Sequence, residues 1–220
     1  MHEHQNDEIA SWVPTGVMRH DDRATGKLVI DQDHLMVMNA GRSFWHSEET
    51  LRTDPPLDML QIFVRPHDVD LEPSIQHGPV APSSPNVWRH LFGPEGTTAP
   101  FRVRNEVDFY DIRLEAGARL DFPAIKGRAL YFYVFSGAIR AAGKLFREAE
   151  QGLLRNGGHL SLEATVSGIT VAFLVDCGAR ITRRGTVGDN RRIPPAIVFR
   201  ALQLWGRLRR GWQRSATTMS

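Results

Sequence analysis

The chain has a single cysteine, Cys177, in 220 residues. It can build no intrachain disulfide framework, and this usage fits a reducing compartment, with the cytoplasm as the expected location. No apolar run approaches the length of a membrane span, and the opening MHEHQNDE is polar and acidic, unlike a signal peptide or an anchor. Lysine is missing, and acid nearly so, from Arg180 onward. There ten arginines face one acid, Asp189, for a charge of +9 against +2 for the whole chain, which leaves −7 on residues 1–179. An acidic body with a basic tail is not the profile of a dedicated nucleic-acid-binding domain, and no nucleic-acid partner is expected. A hydrophobic content of 41% with 24% charged residues is ordinary for a globular protein, long enough for one large domain or two small ones.

What is present is a rhythm of short strands. Glu8–Val13 is apolar-rich, Pro14-Thr15-Gly16 interrupts it, and Val17–His20, Lys27–Ile30, His34–Met38 and Leu57–Val64 follow between polar turns. The run Leu35-Met36-Val37-Met38 suits a buried strand. From Glu72 to Pro100, eight prolines or glycines beyond Pro73 read as a connecting segment with one short strand around Val87–Phe92. A second series then runs through Phe101–Arg104, Val107–Leu114, Ala118–Phe122, Leu130–Phe135, Ala138–Ala141, Leu160–Ala164 and Ile169–Val175. Closely spaced strands without intervening helices predict an all-β sandwich or barrel, and two such runs predict two barrels in tandem. The expected divisions are a first domain at 1–80, a linker at 81–100, a second domain at 101–180 and a basic tail at 181–220. Within the tail, Ala196–Gln213 follows Pro194-Pro195 and sets an apolar face (Ile197, Phe199, Trp205, Trp212) against arginines, which predicts an amphipathic helix.

The chemistry concentrates in the first half. His2 and His4 are one residue apart, and His46-Ser47-Glu48 repeats the same spacing. Residues i and i+2 of a strand share a face, so each pair would point one way from its strand, and two such strands facing each other across a barrel would close a metal site. Three imidazoles and a carboxylate suit a divalent first-row metal, iron (Fe2+/Fe3+) above all, with coordination positions left for exogenous ligands. The alternative is surface histidines in a frayed terminus and a loop. The second half offers no such set. His159 stands alone there, and that barrel is expected to be metal-free and structural. Cys177 reads as a small residue at a strand end rather than a nucleophile.

His2-Glu3-His4-Gln5-Asn6-Asp7-Glu8 resembles the HxHxxxE strand of the pirin family, which includes quercetinase-like bacterial proteins with two cupin domains. Gly16–Asp22, Met38–Glu48 with its AGxxxxHSE element, Leu60–Val64 and Leu71-Glu72-Pro73 continue the likeness in order and spacing. Arg128–Val134 with Ser136-Gly137 is similar to the family's second cupin. The resemblance implies two tandem cupin (double-stranded β-helix, or jelly-roll) barrels, the first holding metal on His2, His4, His46 and Glu48. It also implies that Glu8 sits close enough to act on a bound substrate or water, or else holds a ligand histidine in place. Three departures stand out. Family members carry strands before HxH whereas here it begins at residue 2, from which we expect a start assigned too late. Asp31-Gln32-Asp33 replaces a Pro-Gly turn. The basic tail helix is additional.

The activity this resemblance implies is that of a metal-dependent oxygenase of the quercetin 2,3-dioxygenase type. A small aromatic, flavonol-like substrate would meet the metal, with Glu8 or Glu48 taking its hydroxyl proton. A non-enzymatic alternative is a redox-responsive module whose iron state alters a surface used by a protein partner. The tail helix either packs on a barrel or a second subunit, or lies on an anionic membrane surface or on nucleic acid.

Overall fold

The computed structural model describes residues 1–155 and 157–187 and is built from eighteen strands, with no helix among the described residues. In chain order they are β1 (His2–His4), β2 (Glu8–Thr15), β3 (Met18–Asp22), β4 (Gly26–Ile30), β5 (His34–Asn39), β6 (Phe44–Glu49), β7 (Asp58–Val64), β8 (Ser74–Pro79) and β9 (Arg89–Gly93). There follow β10 (Phe101–Arg102), β11 (Val107–Leu114), β12 (Arg119–Asp121), β13 (Ala129–Val134), β14 (Ala138–Ala141), β15 (Lys144–Arg147), β16 (Gln151–Leu154), β17 (Ser161–Val166) and β18 (Gly168–Val175). The helix expected over Ala196–Gln213 lies outside the described residues.

Four sheets result. The first runs β1-β6-β3-β4 and the second β7-β2-β5-β8; the third runs β10-β9-β11-β18-β13-β16 and the fourth β12-β17-β14-β15. The chain passes back and forth between the first two sheets, and later between the last two, the jelly-roll way of pairing sheets. The fold is thus all-β and cupin-like.

Alternation along β2 and β5 explains how the sheets stack. Ile9, Val13, Met36 and Met38 turn toward Met18, Ile30 and Phe44 of the first sheet. Ala10, Trp12, Leu35 and Val37 turn the other way, against Leu91, Phe92, Phe109 and Val171 of the third sheet. The central strands of the second sheet, β2 and β5, are therefore buried on both faces, which is why β5 reads as an unbroken apolar run. A third core joins the third and fourth sheets through Ile112, Leu130, Phe132, Ile139, Leu162 and Leu174. Each such fully buried side chain contributes about 1.5–3 kcal/mol.

Polar links fasten the same seam. The Trp12 indole N–H donates to Asp111 Oδ2 at 3.0 Å, and Arg89 holds both oxygens of that carboxylate. Pro14, expected to end its strand, instead lies in β2 where the register to β7 shifts between Trp12 and Thr15. A residue without an N–H is tolerated at such an irregularity.

Candidate metal centre

β6 is the spine of the site. On one side it pairs antiparallel with β1, placing His2 opposite His46; on the other it pairs with β3, placing Asp22 opposite His46 and His20 opposite Glu48. Period-two alternation sends His2 and His4, His20 and Asp22, and His46 and Glu48 to one face of the sheet. The expectation of two strands facing each other across a barrel is corrected here. The candidate pairs come from hydrogen-bonded neighbours, whose opposed side chains lie only about 5 Å apart at Cβ.

The imidazole rings converge accordingly. The His2 and His46 centroids are 4.3 Å apart, His2 and His4 4.8 Å, and His4 and His46 5.1 Å. His2 Nε2 and His4 Nε2 approach to 3.0 Å. His46 is wholly buried, and its Nε2 is a buried atom with no hydrogen-bond partner. Burial first, and then the neighbouring His20, His2 and His4, push the His46 imidazole down to about 3. Burial and His4 lower His2 as well, while Glu48 acts in the opposite sense. Neutral rings with lone pairs turned inward are the form in which imidazole binds a metal.

The surroundings orient these rings. His4 Nδ1 lies 3.5 Å from a carboxylate oxygen of Asp7, itself held by Arg65 at 2.6 Å, so the opposite nitrogen faces His2. Glu48 Oε1 lies 3.8 Å from His46 Nδ1, and both Glu48 oxygens accept from Gln61 Nε2 of β7, at 3.1 and 2.8 Å. Phe63, two residues further along β7, has its ring 6.1 Å from that of His4. The floor of the site, His4 and His46, is buried, whereas His2, Glu48 and Phe63 reach solvent and form its open side.

His2, His4 and His46 form one group able to hold an ion; His20, His46 and Glu48 form another. An orphaned buried nitrogen amid inward-turned nitrogens, with a carboxylate beside them, fits a divalent metal. His20 and Gln61 were absent from the expected set. The signal for His20 was nonetheless in the sequence, since His20-Asp21-Asp22 carries the same i, i+2 spacing as the other two pairs.

Glu8 does not join them. It is fully buried on β2, where its Oε1 accepts from Arg104 Nε at 2.8 Å and its Oε2 from the Arg104 backbone N–H at 2.8 Å and Asn39 Nδ2 at 2.5 Å. The expectation that it acts as a base at the metal gives way to a structural role. β1 ends at His4, and Asn6 with φ 54° turns the chain into the second sheet, so the alternation that would have aligned Glu8 with the histidines is interrupted.

Site and sheets together define a cupin-like β protein with a histidine-rich candidate metal centre. Residues 1–64 match the family model described as Pirin, so the pirin resemblance read from the motifs is borne out over the segment that carries the site. Among curated relatives, "Putative quercetin 2,3-dioxygenase PM1685" of Pasteurella multocida is 20% identical over 68% of this chain and 64% of its own length. "Putative quercetin 2,3-dioxygenase PA1210" of Pseudomonas aeruginosa is 26% identical over 69% of this chain and 66% of its own. The chain thus spans less than two thirds of the length of these relatives. Among solved structures, YhhW of Escherichia coli superposes with a TM-score of 0.71 at 18% identity, over 79% of this chain and 74% of that one. A complex of the same bacterial pirin with nickel(II) gives 0.70 at 19% identity over 79% and 74%. Quercetin 2,3-dioxygenase from Acinetobacter baumannii gives 0.71 at 19% identity, over 80% of this chain and 61% of that chain. At these identities the structural likeness speaks to the fold.

Proposed function

We propose that the chain binds one divalent metal, iron foremost, on His2, His4, His46 and Glu48, and uses it in dioxygenase chemistry on a flavonol-like aromatic substrate. The observation carrying this reading is the convergence of the His2, His4 and His46 imidazoles, with the His46 Nε2 buried and partnerless and Glu48 lying 3.8 Å from the other nitrogen of the same ring. It is supported by the likeness to proteins named as quercetin 2,3-dioxygenases and by the nickel complex of a bacterial pirin of the same fold.

A metal held there would supply Lewis acidity and one-electron exchange toward a hydroxylated aromatic and dioxygen. His4 and His46 would hold it from the buried floor, and His2 and Glu48 from the open side. Gln61 steadies the Glu48 carboxylate through both oxygens and so fixes its direction. Because Glu8 is committed to Arg104, the proton of a substrate hydroxyl would pass to Glu48 in this reading. Phe63 and the ring of His2 border the opening, where a planar aromatic ring can pack edge to face.

The test is oxygen consumption by iron-loaded protein across a panel of flavonols and catechols. Substrate-dependent uptake that disappears in His46→Ala is expected. Fully loaded protein with no uptake on any member of the panel rules the oxygenase reading out.

A further inference from the structure

Two residues outside the proposed ligand set decide which nitrogen His46 offers. Asp22 is buried at the end of β3, and its Oδ1 accepts the backbone N–H groups of Ala24 and Thr25, both at 2.6 Å. Its Oδ2 accepts the Thr25 hydroxyl at 2.8 Å and lies 2.8 Å from His20 Nε2. A carboxylate only accepts, so a neutral His20 ring carries its single proton on Nε2 and presents a bare Nδ1. That Nδ1 lies 3.2 Å from His46 Nδ1. Of two facing nitrogens one must donate; His20 cannot, so His46 carries its proton on Nδ1. Glu48 Oε1, 3.8 Å from the same atom, is beyond hydrogen-bonding range and does not compete. The remaining lone pair of His46 is then on Nε2, the atom found buried without a partner.

We propose that Asp22 and His20 are positioning residues that set the tautomer of His46, so that its Nε2 is the bare nitrogen available to a metal. Histidines that bind metal are commonly held this way, through a hydrogen bond from the other ring nitrogen, and losing such a partner typically weakens the metal about 10- to 100-fold. Here a second imidazole stands between the carboxylate and the ligand. The tautomer assignment stands on the hydrogen bonds alone, while its consequence for metal affinity rests on the proposed metal site.

The substitution Asp22→Asn gives a sharp test. The N–H groups of Ala24 and Thr25 keep the amide oxygen at the Oδ1 position, which turns the NH2 toward His20 Nε2. His20 must then carry its proton on Nδ1 and donate it to His46 Nδ1. His46 is left with its proton on Nε2, the atom that should bind metal. Long-range 1H–15N correlation spectra of the metal-free full chain read both tautomers directly. The expected result is a proton on His46 Nδ1 in the wild type and on Nε2 in Asp22→Asn, with the affinity for Ni2+ reduced at least tenfold. His20→Phe, which removes the acceptor and leaves the turn of Asp22 intact, should weaken Ni2+ by a similar factor and serves if the first variant does not fold. Two results overturn the proposal: a wild-type His46 protonated on Nε2, or Ni2+ affinities unchanged in both variants while the wild type binds. A wild type with the expected tautomer that binds no metal leaves the tautomer assignment standing and defeats the proposed function instead.

Discussion

Removing the guanidinium of Arg104, as in Arg104→Met, should strongly destabilise the protein, because it strips a buried carboxylate of its partner. Glu8 is fully buried, and the Arg104 guanidinium pairs with its Oε1 at 2.8 Å. At that distance the gross attraction is roughly 6 kcal/mol at an effective dielectric of about 20, much of it offset by the desolvation of both groups. The loss on breaking the pair is therefore better judged by the charge left behind, and a buried carboxylate stripped of its partner costs about 3–5 kcal/mol. For a body of this size that amounts to a fall in melting temperature of roughly 6–20 °C. The double variant Glu8→Gln/Arg104→Met separates charge from packing. The donors from the Arg104 backbone and from Asn39 both reach Oε2, so a glutamine carbonyl placed there keeps them while the buried charge is gone. Urea unfolding monitored by tryptophan fluorescence should show the double variant recovering at least half of the loss. A loss below about 1 kcal/mol in Arg104→Met, or a double variant no better than the single, would refute the argument and reopen a catalytic role for Glu8.

Other outcomes follow from single contacts. Glu8→Gln alone should leave metal binding unchanged, read as metal content after dialysis, because Glu8 lies away from the histidines. Gly41→Ala should destabilise by about 2 kcal/mol or more: φ is +53°, and an added Cβ would come 2.1 Å from the Leu71 carbonyl oxygen, so backbone must move. Hydrogen bonds from Arg19 and then from the Leu51 N–H hold the Asp54 carboxyl below its ordinary 3.8. Its folded value is depressed, so the stability it contributes is present above 3.8 and is lost as pH falls through the lower, folded value. Carboxyl titration by NMR should show Arg19→Met moving Asp54 back toward the ordinary value; an unmoved titration contradicts the pairing.

Most of the strands were legible because their cores alternate or run continuously apolar, β5 and β18 most plainly. The ones missed, β8, β15 and β16, all stand at the edges of their sheets. An edge strand pairs on one side only and carries a weaker apolar pattern; β8 in addition ends in Gly78-Pro79, which read as linker. At the site, the shared spacing of His2/His4 and His46/Glu48 revealed which side chains point together. It could not reveal that β1 and β6 are neighbours, since pairing partners are chosen by the whole sheet. Glu8 misled for a local reason: alternation counts residues only while a strand continues, and the turn at Asn6 ends it. His20 was overlooked because it sits in a strand between the two motifs, and only the β3–β6 register brings it against His46.

The central claim is a single metal bound by residues of β1 and β6. Elemental analysis of protein purified without chelator, beside the His46→Ala/Glu48→Ala double variant, tests it most directly. About one metal ion per chain in the wild type, absent from a variant that remains folded, is the predicted result. Metal-free wild type that stays empty after incubation with Fe2+ or Ni2+, or a variant that keeps its metal, would contradict it.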